Sequence, residues 1–140
     1  MSDYRIFTDS GCDIDRKTLE DWGVVRVDLT FMDSEKEYPI DAFTSKEFYD
    51  EMRGGRVFKT SAPAPEKFEK AFREALDQGL DVLYVGFSTG LSAAENVGRM
   101  VAEDLKNEYP DRHFYVIDTL CASFGCSSSP FSSTTRMSNV

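Results

Sequence analysis

The sequence is short of the residues on which most catalytic and extracellular frameworks are built. It has one histidine, His113, so any mechanism that needs an imidazole rests on that residue. Its three cysteines, Cys12, Cys121 and Cys126, are odd in number and form no C-x-x-C pair, which predicts neither a disulfide framework nor a zinc site. No apolar run approaches the ~20 residues that cross a bilayer. The opening Met-Ser-Asp-Tyr-Arg lacks the basic stretch and long apolar segment of a signal peptide, so a cytoplasmic protein without a membrane span is expected. Lysine and arginine form no dense cluster, and 25 acids against 16 bases give a formal charge of −9, which argues against nucleic acid as a partner. What remains is globular in composition, 41% hydrophobic and 29% charged over 140 residues. A chain of this size forms about one domain and buries roughly 70% of its unfolded surface.

Periodicity predicts strands alternating with helices. "YRIF" reads as a strand entering the turn "TDSGCD", and Asp13 is the expected N-cap of a helix carrying Leu19 and Trp22 and stopping at Gly23. "VVRVDLTF" alternates Val25, Val27, Leu29 and Phe31 with polar residues, as one strand near a sheet edge would. Thr44 and Glu47 make a capping box, with Phe43 and Phe48 placed as a hydrophobic staple. "RGGRVFKTSAPAP" reads as loop, and Pro65 suits the first position of a helix with Phe68, Ala71, Phe72, Ala75 and Leu76 on one face, ending at Gly79. "DVLYVGF" reads as a strand buried on both faces, followed by a helix with Ala94, Val97, Val101 and Leu105 on one side and then by the strand "HFYVID". The alternation predicts an α/β fold, a mostly parallel sheet flanked by helices in three layers, α/β/α, over residues 1–125. From Ser127 to Val140 the chain has six serines, two threonines and no apolar period, so a disordered tail is expected over 126–140.

Parallel connections gather the ends of such strands on one edge, the edge where α/β folds bind ligands. That places Thr8, Asp9 and Ser10, then Ser88, Thr89 and Gly90, then Asp118 and Thr119 together. "GFSTGLSA", residues 86 to 93, raises the question of which serine matters. Gly86-Phe87-Ser88-Thr89-Gly90 fits the G-x-S-x-G elbow of hydrolases, and both serines look exposed. His113, however, falls at the start of its strand, on the opposite edge from Ser88. Ser92 stands where a helix begins, and two readings stay open there: a plain N-cap, or a hydroxyl that joins unpaired N–H groups around an anion.

Four segments in register decide the family. "TDSGCDI" at 8–14, "KTSAPAP" at 59–65, "STGLSA" at 88–93 and "VIDTLCAS" at 116–123 resemble the T-D-S, K-T-S-x-P, S-S-G-L-S-G and V-I-D-[ST] segments of the DegV family. The resemblance covers residues 1 to about 125. It implies a fatty-acid-binding carrier, including the FakB type that presents a bound fatty acid to a separate fatty acid kinase. Such a protein is not itself an enzyme and needs no cofactor or metal beyond the long-chain fatty acid held as ligand. By that resemblance Thr60 and Ser92 hydrogen-bond the fatty-acid carboxylate. Asp9, Ser10, Ser61, Ser88, Thr89, Gly90 and Asp118 are further candidates for lining the site.

The chain departs from the family pattern at Ala62, Thr89, Ala93 and Ala94, none of which removes a proposed carboxylate contact. It departs more in length, because family members run to about twice this size, with the acyl tunnel between this domain and a second one. The expectation is a truncated fragment whose binding is impaired and whose exposed domain face favours homo-oligomers. Two alternatives from other classes are a small serine hydrolase using Ser88 and an interacting fragment without activity of its own.

Overall fold

The computed structural model describes residues 3–122 and the backbone of residues 136–139. In chain order the elements are β1 (Tyr4–Asp9), α1 (Arg16–Asp21), β2 (Val24–Val27), β3 (Thr30–Met32), β4 (Glu37–Pro39), α2 (Ser45–Arg53), β5 (Lys59–Ser61), α3 (Pro65–Leu76), β6 (Asp81–Gly86), α4 (Ala94–Glu108), β7 (Phe114–Asp118) and β8 (Arg136–Asn139). The main sheet runs in the order β2-β1-β6-β7-β8. Its first four strands are parallel, and β8 pairs antiparallel with β7. A second, antiparallel sheet has the order β4-β3-β5.

The layers follow from alternation along the strands. Phe7, Val27, Val82, Tyr84, Phe114 and Val116 point to one face, where Phe68, Phe72 and Leu76 of α3 and Val101 and Leu105 of α4 close a continuous core. Val24, one residue out of phase, faces the other way and meets Leu19 of α1 beside Cys12 and Ile14. Helices therefore cover both faces, and among the described residues six-residue α1 is the helix on the second. Leu83 and Val85 on that face are partly buried, so β6 is not the strand buried on both faces that its composition suggested. Close docking of α4 depends on Gly98, where an added Cβ would stand 2.6 Å from a ring carbon of Tyr84.

Several boundaries shift from the sequence reading for identifiable reasons. Asp15, not Asp13, caps α1: its backbone is extended and its Oδ1 accepts the Thr18 N–H at 2.9 Å. Ile14, buried against Cys12 and Leu19, holds the residues before it in the loop. Gly23 stops the helix with φ 69° as expected. The stretch 24–31 is two strands in two sheets. Ser10 Oγ accepts the Leu29 N–H at 2.9 Å, and Arg16 and Arg26 both bind Asp28, so the chain leaves the main sheet there. Period-two patterning continues across the break because each strand still buries one side, Val27 in one sheet and Phe31 in the other.

The second sheet has a core of its own. Phe31 packs its ring against Tyr38, Phe43, Phe48 and Phe58. The Arg56 guanidinium lies over Tyr38, Phe43 and Phe58 and pairs with Asp33 and Glu51. Two backbone N–H groups, of Lys36 and Glu35, followed by Arg56, hold the Asp33 carboxyl well below the usual carboxylate range. The capping box of α2 forms as read, with Glu47 Oε2 accepting the Thr44 N–H at 2.9 Å and Thr44 Oγ1 accepting the Glu47 N–H at 3.3 Å. β5 differs from the loop that the sequence predicts: three residues between glycines and prolines carry no period, and pairing with β3 makes the strand. Pro65 opens α3 at its first turn, as expected. Within the 126–140 stretch expected to be a disordered tail, residues 136–139 pair with the open edge of β7 as β8. The rest of that tail lies outside the described residues.

Candidate functional site

The carboxyl ends of β1, β6 and β7 meet at one edge, as parallel topology requires, and their polar residues are joined by hydrogen bonds. Asp9, at the end of β1, is almost fully buried. Its Oδ2 accepts the Tyr84 hydroxyl at 2.8 Å and the Phe87 N–H at 2.9 Å, and its Oδ1 accepts the Gly11 N–H at 2.9 Å. Asp118, at the end of β7, accepts the Thr89 hydroxyl at 2.5 Å on Oδ2 and the Thr89 and Leu120 N–H groups on Oδ1 at 3.3 and 3.0 Å. The loop after β6 is thus fastened to its neighbours on both sides. The side-chain oxygens of both aspartates are engaged in fixing turns.

The two serines of the opening stretch differ in a way the sequence did not show. Ser88, expected to be exposed, retains only 7% of its surface. Its N–H donates to the Cys121 carbonyl, its Oγ accepts the Gly90 N–H at 3.2 Å, and its carbonyl accepts the Leu91 and Ser92 N–H groups. Tight closure of the 88–92 turn buries it. Ser92 is partly buried, one residue outside the N-cap of α4. That cap is Ala93, which has no side-chain hydrogen bond to give, and Ser92 Oγ accepts the Ala94 N–H at 3.1 Å instead. Among the described residues the Ser92 hydroxyl hydrogen has no acceptor, and it stands at the positive end of a 15-residue helix.

Thr60 is exposed in the middle of β5, opposite Phe31. Ser61, beside it, pairs with Thr30, and Ser61 Oγ donates to the Ala62 carbonyl at 3.3 Å. Because β3 begins just after Leu29, whose N–H is held by Ser10, the second sheet is tied to the same edge as the other loops. Topology places Ser10, Ser61, Ser88, Thr89, Gly90, Ser92, Asp9 and Asp118 around that edge. No hydrogen bond joins Thr60 to Ser92 among the described residues.

Sequence reasoning missed Glu95. This side chain, in the first turn of α4, has no exposed surface; Arg99 binds one carboxylate oxygen, and Oε2 is buried without a partner. Burial raises the Glu95 pKa, opposed by Arg99 and assisted by Asp118. A charged residue at a helix start normally signals solvent, so the sequence carries no mark of its burial. His113 lies at the other end of β7, with Nδ1 3.4 Å from Asp81, far from the Ser88 turn along the strand direction. A Ser88–His113 pair is not formed. Among the described residues no group of three His, Cys, Asp or Glu side chains is arranged to hold a metal, and no helix is long and apolar enough to cross a membrane.

Fold and site together define a parallel α/β domain that gathers its polar loops at the strand ends and leaves a helix N-terminus and hydroxyls there. The chain belongs to the DegV family: residues 3–128 match that family's model, described as "Uncharacterised protein, DegV family". A DegV domain-containing protein of Clostridium perfringens is 34% identical over 128 residues, which are 89% of this chain and 44% of that protein. A stearic-acid-binding protein from Eubacterium ventriosum superposes with a TM-score of 0.78 at 29% identity, over 86% of this chain and 42% of that one. The Thermus thermophilus DegV family protein whose structure shows fatty-acid binding gives 0.78 at 31% identity, over 91% and 44%. This chain therefore spans less than half the length of these relatives.

Proposed function

We propose that this chain is the part of a cytoplasmic fatty-acid carrier that holds the carboxylate, with Thr60 and Ser92 as donors to it. The observation that carries this reading is the Ser92 hydroxyl, directed by the Ala94 N–H and without an acceptor for its hydrogen among the described residues at the start of a long helix. An anion there gains charge-assisted hydrogen bonds and the favourable end of the helix dipole. The acyl chain gains ~0.8 kcal/mol for each CH₂ it buries. DegV membership and the fatty acids bound by the Eubacterium and Thermus proteins support the ligand class. The bound fatty acid would be offered to a fatty acid kinase, which performs the chemistry on the carboxylate. Relatives have more than twice the chain with which to enclose a ligand, so the 140-residue chain is expected to bind more weakly than they do.

Isothermal titration of oleate into the wild type and three alanine variants tests the assignment. Thr60→Ala and Ser92→Ala should each weaken binding by roughly ten- to a hundredfold, the range for one hydrogen bond to a charged group. Ser88→Ala should change it less, because that side chain is buried within its own turn while Ser92 is only partly buried. Wild-type affinity in both the Thr60 and the Ser92 variant would show that the carboxylate is held elsewhere.

A further inference from the structure

Two large apolar side chains stand exposed at the same edge. Leu91 keeps 68% of its surface and Leu120 keeps 42%. They belong to the two loops that meet there, the turn after β6 and the turn after β7, joined by the Ser88 N–H to the Cys121 carbonyl at 3.2 Å and by Thr89 to Asp118. Leu91 immediately precedes Ser92. Leu120 has φ 51°, the positive φ of a non-glycine residue among those described. Glycine and asparagine suit that conformation, and a branched apolar residue does not. The surrounding bonds impose it: Asp118 Oδ1 accepts the Leu120 N–H at 3.0 Å, and Thr119 Oγ1 accepts the Cys121 N–H at 3.3 Å while donating to the Gly86 carbonyl at 3.0 Å. The turn thus presents an apolar side chain to the outside at a backbone cost that asparagine would avoid, the kind of local strain that accompanies binding sites.

We propose that Leu91 and Leu120 form an apolar rim that takes the first methylenes of the acyl chain, next to the carboxylate at Ser92. The proposal rests on the fatty-acid reading of the site and adds the residues that read the chain itself. A carboxylate fixed at Ser92 leaves its first few methylenes within reach of the adjoining residue and of the loop bonded to that turn. Burying them there removes two exposed leucines from water along with the chain.

Leucine methyl spectra of the whole chain, recorded with stearates carrying a nitroxide at carbon 5 or at carbon 16, test the rim directly. The Leu91 and Leu120 methyl signals are expected to broaden strongly with the carbon-5 probe and less with the carbon-16 probe. Broadening of other leucines while these two are unaffected, or equal broadening by both probes, overturns the rim and leaves the carboxylate site standing. No response of any methyl to either probe overturns the fatty-acid reading, and the rim with it. In a second measurement Leu120→Asn should keep or raise the thermal midpoint, since asparagine tolerates the left-handed backbone, while stearate binds about three- to tenfold more weakly. A similar loss is expected for Leu91→Ser. Unchanged affinity in both variants counts against the rim alone.

Discussion

Glu95 is a residue whose charge works against the fold. Folding removes its carboxyl from water and supplies one partner, Arg99, for two oxygens, so its pKa rises above the ordinary 4.5. The folded state then holds the proton more firmly than the unfolded one. The stability this group contributes is fully present below about pH 4.5 and is lost as pH rises through the higher folded value. Glu95→Gln keeps the shape and removes the titration. At neutral pH it should raise the thermal midpoint by roughly 3–5 °C, equivalent to about 1 kcal/mol in a domain of this size. Melting curves from acid to neutral pH check this, and the advantage of the variant should shrink as pH falls. A midpoint lowered at neutral pH would mean that the Arg99 pair outweighs the burial.

Among the elements, α4 connects the core to the site. It starts beside Ser92, lies over Tyr84 at Gly98, and Tyr84 donates its hydroxyl to Asp9, which in turn holds the Phe87 N–H. A methyl group at position 98 cannot be absorbed by a flexible neighbour, because Tyr84 is fully buried and hydrogen-bonded. Gly98→Ala should therefore destabilise the domain by about 1–3 kcal/mol despite the better helix propensity of alanine, as overpacked core positions do. Urea unfolding gives the size of the effect. Stability equal to or above wild type would show that α4 slides along the sheet without cost.

For the whole molecule, charge and uncovered surface oppose each other. A formal charge of −9 keeps copies apart, while among the described residues the sheet face carrying Leu83 and Val85 is covered in part, by α1. Salt screens the repulsion within about a Debye length, ~10 Å at 0.1 M, and leaves apolar contact unaffected or strengthened. Self-association is expected to increase with ionic strength in sedimentation velocity experiments. A single monomer boundary at every salt concentration would remove the face as an interface between copies.

Much of this architecture was legible because it is written in local chemistry. The capping box at Thr44, Pro65 at the start of α3, the stop at Gly23 and the apolar stripe of Phe68, Phe72 and Leu76 are each set by a few neighbouring side chains and backbone angles. The gathering of Asp9, Ser88 and Asp118 at one edge followed from strand order, since parallel crossovers leave no other arrangement. The four family segments were likewise readable in line, and DegV membership agrees with them. Other features are products of contacts distant in sequence. The break at Asp28 depends on Ser10 and Arg16, β5 exists through its pairing with β3, and β8 exists through the open edge of β7. The burial of Ser88 and Glu95 and the left-handed backbone of Leu120 are imposed by Cys121, Gly86, Thr119 and Asp118, which reach those positions only after the sheet has formed. Sequence determined which elements could form and where their polar ends would collect; long-range packing decided which of those polar groups are buried and spent on structure.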